Sequence, residues 1–98
     1  PGGKVMKSVN DVELVKSIQG GRMDDFSKLV RKYETPLVRL ISRHVRDMEL
    51  ARDVVQETFL KVHQNIHSFE GRCSFKNWIY KIAINTARNK IRSFREME

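Results

Sequence analysis

The sequence of 98 residues has one cysteine, two prolines, five glycines and no long uncharged apolar run. A single cysteine, Cys73, excludes an internal disulfide and points to a reducing, cytoplasmic setting. Apolar runs of only a few residues exclude a membrane span, and no charged-then-apolar secretory leader is visible. The opening Pro-Gly-Gly lacks an initiator methionine, so residues 1–7 are expected to be an appended remnant or a disordered start, with one domain at 8–98. A chain this short buries about 60–65% of the surface its unfolded form exposes, enough for a modest core but not for an enclosed substrate chamber. A pocketed enzyme is therefore not expected. The most telling absence is of acidic groups. Residues 71–95 hold Arg72, Lys76, Lys81, Arg88, Lys90, Arg92 and Arg95 with no aspartate or glutamate, so the whole formal charge of +7 resides there and the remainder sums to zero.

What is present is helical patterning. Gly20, Gly21, Pro36 and Gly71 are the only internal breakers, and no strand-like alternation lies between them. A first helix should start at an Asn10 cap, with Glu13 three residues on, and stop at Gly20-Gly21, its apolar face being Leu14, Val15 and Ile18. A second opens at Asp24 or Asp25. Its apolar positions Phe26, Leu29, Val30, Tyr33, Leu37, Leu40, Ile41 and Val45 keep three-four spacing, while Thr35-Pro36 is expected to kink or break it. A third runs from a cap near Asp47 to about Ile66, and a fourth from a Ser74 cap to about Phe94. Four helices with short connections predict an all-α bundle.

On the last helix Asn77, Asn85, Arg88, Arg92 and Arg95 all fall within about 40° of Lys81, opposite Phe75, Ile79, Ile82, Ala83, Thr86 and Ala87. A solvated face is the bland reading of such a stripe. A solvated face normally mixes signs, however, so a long cationic stretch without carboxylates suits a polyanion. Phe69, Phe75, Trp78 and Tyr80 lie in or beside the loop that enters this helix. Aromatic faces stack on unpaired bases, so rings among cations favour a single strand over a duplex groove. Phe69 is expected to be the exposed ring, with Phe75 and part of Trp78 facing the core. On the third helix Asp53, Gln56, Glu57 and Leu60 form an i, i+3, i+4, i+7 stripe that reads either as solvated surface or as a ridge for a partner helix.

Two segments, Asp53-Val-Val-Gln-Glu-Thr-Phe-Leu-Lys61 and Phe69-Glu-Gly-Arg-Cys-Ser-Phe-Lys-Asn-Trp-Ile-Tyr-Lys-Ile-Ala-Ile-Asn85, resemble region 2 of the extracytoplasmic-function (ECF) group of bacterial sigma factors. Glu13 to Gly20 and Phe26 to Tyr33 extend the resemblance, which covers about residues 11–95 in the family's order. It implies a transcription initiation domain in which Asp53, Gln56, Glu57 and Leu60 dock on the clamp helices of the largest subunit of core RNA polymerase. It further implies capture of the single-stranded non-template strand of the −10 promoter element. By position the base pocket is then Phe69, Gly71, Arg72, Cys73 and Ser74, with Lys61 at its edge and Ile82 and Asn85 on the helix. Phe75, Asn77 and Trp78 border it, and Lys81, Arg88 and Arg92 hold phosphates. An anti-sigma factor partner, a monomeric state, promoter melting and no cofactor belong to the same implication.

Ile79, Lys81, Glu70, Arg72 and Cys73 depart from the family's common residues, so the loop's base preference does not transfer. The family's −35-reading helix-turn-helix has no counterpart here, and the sequence is expected to be a piece cut before it. A sigma-like decoy that occupies an anti-sigma factor is the alternative, and a nonspecific basic helix on nucleic acid or anionic membrane is a third reading. His63, His67 and Cys73 lack a fourth ligand for zinc, and Cys73 lacks the orienting groups of a thiol nucleophile, so neither a metal site nor catalysis is expected.

Overall fold

A computed structural model describes residues 10–97, and the expectation for residues 1–7 lies outside them. Four helices, α1 (Asp11–Gln19), α2 (Phe26–Ser42), α3 (Met48–Asn65) and α4 (Phe75–Met97), are joined by 3₁₀ turns at Met23–Asp25 and Ile66–Ser68 and by a short loop between α2 and α3. No strand occurs among the described residues, and no helix there is long and apolar enough to cross a membrane.

Each start follows from a local cap. Asn10 Oδ1 accepts from the Val12 and Glu13 amides at 2.8 and 3.4 Å, Asp47 Oδ1 from Glu49 and Leu50 at 2.9 and 3.3 Å, and Ser74 Oγ from Asn77 at 3.0 Å. These side chains satisfy amides that have no partner inside the helix, at about 1 kcal/mol each. Helix α1 ends where Gly21 adopts φ 110°, a conformation that a side chain would strain. Ser17 Oγ then donates to Asp25 Oδ2 at 2.6 Å, which fastens the turn. Asp11 accepts from Lys32 Nζ at 2.6 Å and from the Tyr33 hydroxyl, which ties α1 to α2. Burial, reinforced by the Asp11 carboxylate, raises the Tyr33 phenol well above its ordinary range, so it stays a donor.

The core gathers the apolar stripe of every helix. Ile18, Leu29, Leu37, Ile41, Val54, Val62, Ile66, Ile79 and Ala83 are fully buried, at about 1.5–3 kcal/mol for each large side chain removed from water. Two threonines enter it at little cost. Thr58 and Thr86 donate to the carbonyls of Val54 and Ile82, both at 2.7 Å, and no buried side-chain nitrogen or oxygen among the described residues lacks a partner.

The break offered for Thr35-Pro36 does not form. Helix α2 runs through Pro36 because Leu29 and Tyr33 before it and Leu37 and Ile41 after it are buried on one stripe. Tertiary burial outweighs the lost amide donor. Helix α4 also extends to Met97, beyond the expected Phe94.

Because the surrounding helix is already regular, Pro36→Ala should raise stability by about 1–3 kcal/mol, read as a higher midpoint in chemical unfolding with unchanged helix content. An unchanged or lower midpoint would show that Pro36 contributes packing that offsets its backbone cost.

Candidate nucleic-acid interface

Helix α4 divides its faces as the period requires. Phe75, Ile79, Ala83, Thr86 and Ala87 are buried, whereas Asn77, Lys81, Asn85, Arg88, Arg92 and Arg95 are all exposed. Along the stripe the described contacts join like to amide: Arg92 Nη2 donates to Asn89 Oδ1 at 2.7 Å. No carboxylate pairs with Lys81, Arg88, Arg92 or Arg95 among the described residues. Their charge is available to an outside anion.

The loop before α4 is held at its base by the end of α1. Gln19 Nε2 donates to the carbonyls of Ile66 and Phe69 at 2.8 and 2.9 Å. Gly71 turns the loop at φ 77°, and Arg72 Nε lies 3.1 Å from Glu70 Oε1 on its exposed rim. Phe69 is not the exposed ring expected of it. It is half-buried, with its centroid 4.9 Å from Trp78 and 5.8 Å from Phe75. The two helix rings and the Gln19 clamp draw it inward. Phe75 is buried beneath both, and Trp78 is half-buried. Lys76 sits over the Tyr80 ring at 5.6 Å.

A cavity of about 180 Å³ opens between α1 and this loop, lined by Val15, Gln19, Phe69, Cys73, Ser74 and Phe75 among others. Gly71 and the exposed Cys73 belong to it, but Lys61, Ile82 and Asn85 do not. Those three lie on the α3–α4 side. Lys61 Nζ donates to Thr86 Oγ1 at 2.9 Å, the Thr86 hydroxyl donates to the Ile82 carbonyl, and Asn85 is exposed on the stripe. The residues assigned by position to one pocket thus fall into two groups, one on each side of the helix entrance.

The α3 ridge is likewise divided. Asp53 and Glu57 turn toward α4, where Lys90 Nζ lies 3.7 Å from Asp53 Oδ2 and 3.0 Å from Glu57 Oε1. The Lys90 hydrogen bond lowers the Glu57 pKa, and the Glu57 hydrogen bond raises that of Lys90. Gln56 and Leu60, the latter 63% exposed, instead line a groove of about 740 Å³ against α2, with Phe26, Val30, Val38 and Phe59. Sequence patterning did not reveal Gln19 or Lys90, since each acts through a partner distant in the chain. His63 packs edge-on against Phe26 with centroids 5.0 Å apart.

A bundle with one cationic helix face beside an aromatic loop has the form of a nucleic-acid-binding module. The chain belongs to the Sigma-70 region 2 family, whose sequence profile matches residues 29–96. It is 42% identical over 81 residues to the RNA polymerase sigma-H factor of Pseudomonas aeruginosa, covering 83% of this chain and 42% of that protein. It is 39% identical over 83 residues to the ECF RNA polymerase sigma-E factors of Haemophilus influenzae and Escherichia coli, covering 85% of this chain and 43% of each. The chain therefore spans less than half the length of these relatives. Among solved structures, an engineered region 2 of sigmaE in complex with GTAAAA superposes with a TM-score of 0.81 at 35% identity, covering 91% of this chain and 93% of that one.

The Lys90 contacts predict a small pH-dependent stability increment. A lowered Glu57 pKa stabilises the fold above the ordinary carboxylate range, and that gain is lost as pH falls through the folded-state value. A raised Lys90 pKa stabilises below the ordinary lysine range, a gain lost as pH rises through its folded-state value. Lys90→Met should therefore cost up to about 1 kcal/mol near neutrality, with the difference from the parent shrinking in acid. Urea unfolding at several pH values measures both.

Proposed function

We propose that this chain is the part of a bacterial initiation factor that docks on core RNA polymerase through α3 and captures the single-stranded non-template strand of the −10 element. The observation that carries the reading is the unpaired cationic and amide stripe of α4 beside a loop of clustered rings, on the fold that in a similar protein binds GTAAAA. Lys81, Arg88 and Arg92 hold phosphates and fix register, while Asn85 reads a base edge because its amide both donates and accepts. The cavity bounded by Phe69, Gly71, Cys73 and Ser74 receives an unstacked base, which gains about 1–3 kcal/mol from ring contact.

On α3, Asp53 and Glu57 at the α4 margin meet basic polymerase side chains, and Gln56 and the exposed Leu60 at the α2 groove add an amide and an apolar anchor. The same exposed Leu60 and groove are the surface that an anti-sigma factor covers at rest. The domain acts as a monomer in the cytoplasm, where polymerase and promoter are, and recognition of a whole promoter falls to other parts of a longer factor. Its role is binding and strand capture, with no catalytic step.

Binding of GTAAAA and its single-base variants, measured at two salt concentrations, tests the DNA assignment. Affinity should depend on base identity, and Asn85→Ala should flatten that dependence. Arg88→Ala should weaken every sequence and reduce the salt slope by about 0.7, the contribution of one phosphate contact on a single strand. Sequence-blind binding would favour a nonspecific basic helix, and no binding at all would favour the decoy. For the other surface, Asp53→Ala and Gln56→Ala should each lose association with core polymerase at unchanged helix content. Retained association in both would refute the α3 assignment.

A further inference from the structure

The cavity beside the loop has a wall that the loop does not supply. Val15, Lys16 and Gln19 line it from α1, and Phe69, Cys73 and Ser74 line it from the loop. Gln19 is half-buried there, and only one end of its amide is engaged. Nε2 donates to the Ile66 carbonyl at 2.8 Å and to the Phe69 carbonyl at 2.9 Å, so both of its hydrogens are spent. Oε1 accepts no hydrogen bond among the described residues.

The two carbonyls also decide which way the amide faces. Turning it over would set Oε1 against two carbonyl oxygens and forfeit both bonds. A free glutamine reads either polarity, whereas this one has only its acceptor left to offer. The other polar groups around the cavity differ. Lys16 brings an ammonium, which only donates, and Ser74 Oγ already accepts from the Asn77 amide at 3.0 Å. The Glu70 carboxylate lies on the exposed rim, 3.1 Å from Arg72 Nε.

The bases divide on the same chemistry. Adenine and cytosine carry an amino group where guanine and thymine carry a carbonyl oxygen. An acceptor fixed in place bonds the first pair and repels the second, and the unpaired polar groups add to the cost of a mismatch.

We propose that Gln19 is a specificity-determining residue of the strand site: its fixed amide presents Oε1 to the base in the cavity and selects adenine or cytosine over guanine or thymine. This rests on the proposed function and names the class of base that the cavity admits. It gives α1 a part in strand recognition beyond holding the loop.

The test uses the chain with GTAAAA and with oligonucleotides in which each adenine in turn becomes unsubstituted purine, which lacks the amino group, or hypoxanthine, which has an oxygen there. At one position the parent should bind the purine oligonucleotide about three- to ten-fold more weakly than GTAAAA, the worth of one hydrogen bond. Gln19→Met should abolish that difference and leave the salt slope unchanged, because no phosphate contact is touched. Gln19→Lys keeps donors for both loop carbonyls and has a third for the base, so it should lose the adenine preference and turn it toward hypoxanthine. An adenine preference retained in Gln19→Lys would show a tether for the loop and nothing more, and would overturn the proposal. Asn85→Ala, measured alongside, marks any position read from α4, which does not count toward Gln19. If the parent discriminates among bases but neither Gln19 variant alters the pattern, only the role of Gln19 fails. If the parent binds without regard to base, or does not bind, the strand-capture reading fails and this inference with it. Circular dichroism of each variant confirms equal helix content.

Discussion

Small and branched side chains where α3 packs on α4 constrain everything else in this molecule. Ala83, Thr86 and Ala87 keep one face of α4 low, and Thr58 and Val62 are buried on α3. The two helices run antiparallel, as the pairing of Asp53 with Lys90 and of Lys61 with Thr86 requires. Once that face of α4 is spent on the core, its remaining side chains have only solvent to meet. A helix so rich in lysine and arginine could not have turned its charged side inward, because an unpaired buried cation is far costlier than a lost methylene. The outward display of Lys81, Arg88 and Arg92 is thus a consequence of packing before it is a matter of function.

The seam also revises the meaning of the +7 charge. Two of the seven cations between residues 71 and 95 are engaged by carboxylates outside that stretch, Arg72 by Glu70 and Lys90 by Asp53 and Glu57. Lys76 leans over a tyrosine ring. The field that a polyanion meets is therefore narrower than composition implies, concentrated on one line of α4, and the acidic ridge behind it is partly neutralised from within.

How much of this was legible in the sequence depends on the distance over which each feature is decided. Caps at Asn10, Asp47 and Ser74 act within three residues, and the 100° period places Asn77 through Arg95 on one face without knowledge of any other helix. Pro36 defeated local reasoning because burial on either side of it, not propensity, decides whether the helix continues. Phe69 was misplaced because its exposure is set by the Phe75 and Trp78 rings and by a glutamine 50 residues earlier. The ridge at Asp53 to Leu60 reads as one stripe on a helical wheel, and only the positions of α2 and α4 reveal that it serves two different clefts.

That glutamine has a wider significance. Gln19 fixes two backbone carbonyls at the base of the loop, so Ile66 and Phe69 form an anchored fulcrum while residues 70–73 are exposed beyond it. Such a division lets substitutions accumulate at the tip, altering the surface it presents, without disturbing the bundle that supports it. The first helix, most distant in sequence from α4, is in this sense what leaves the loop's tip free to vary.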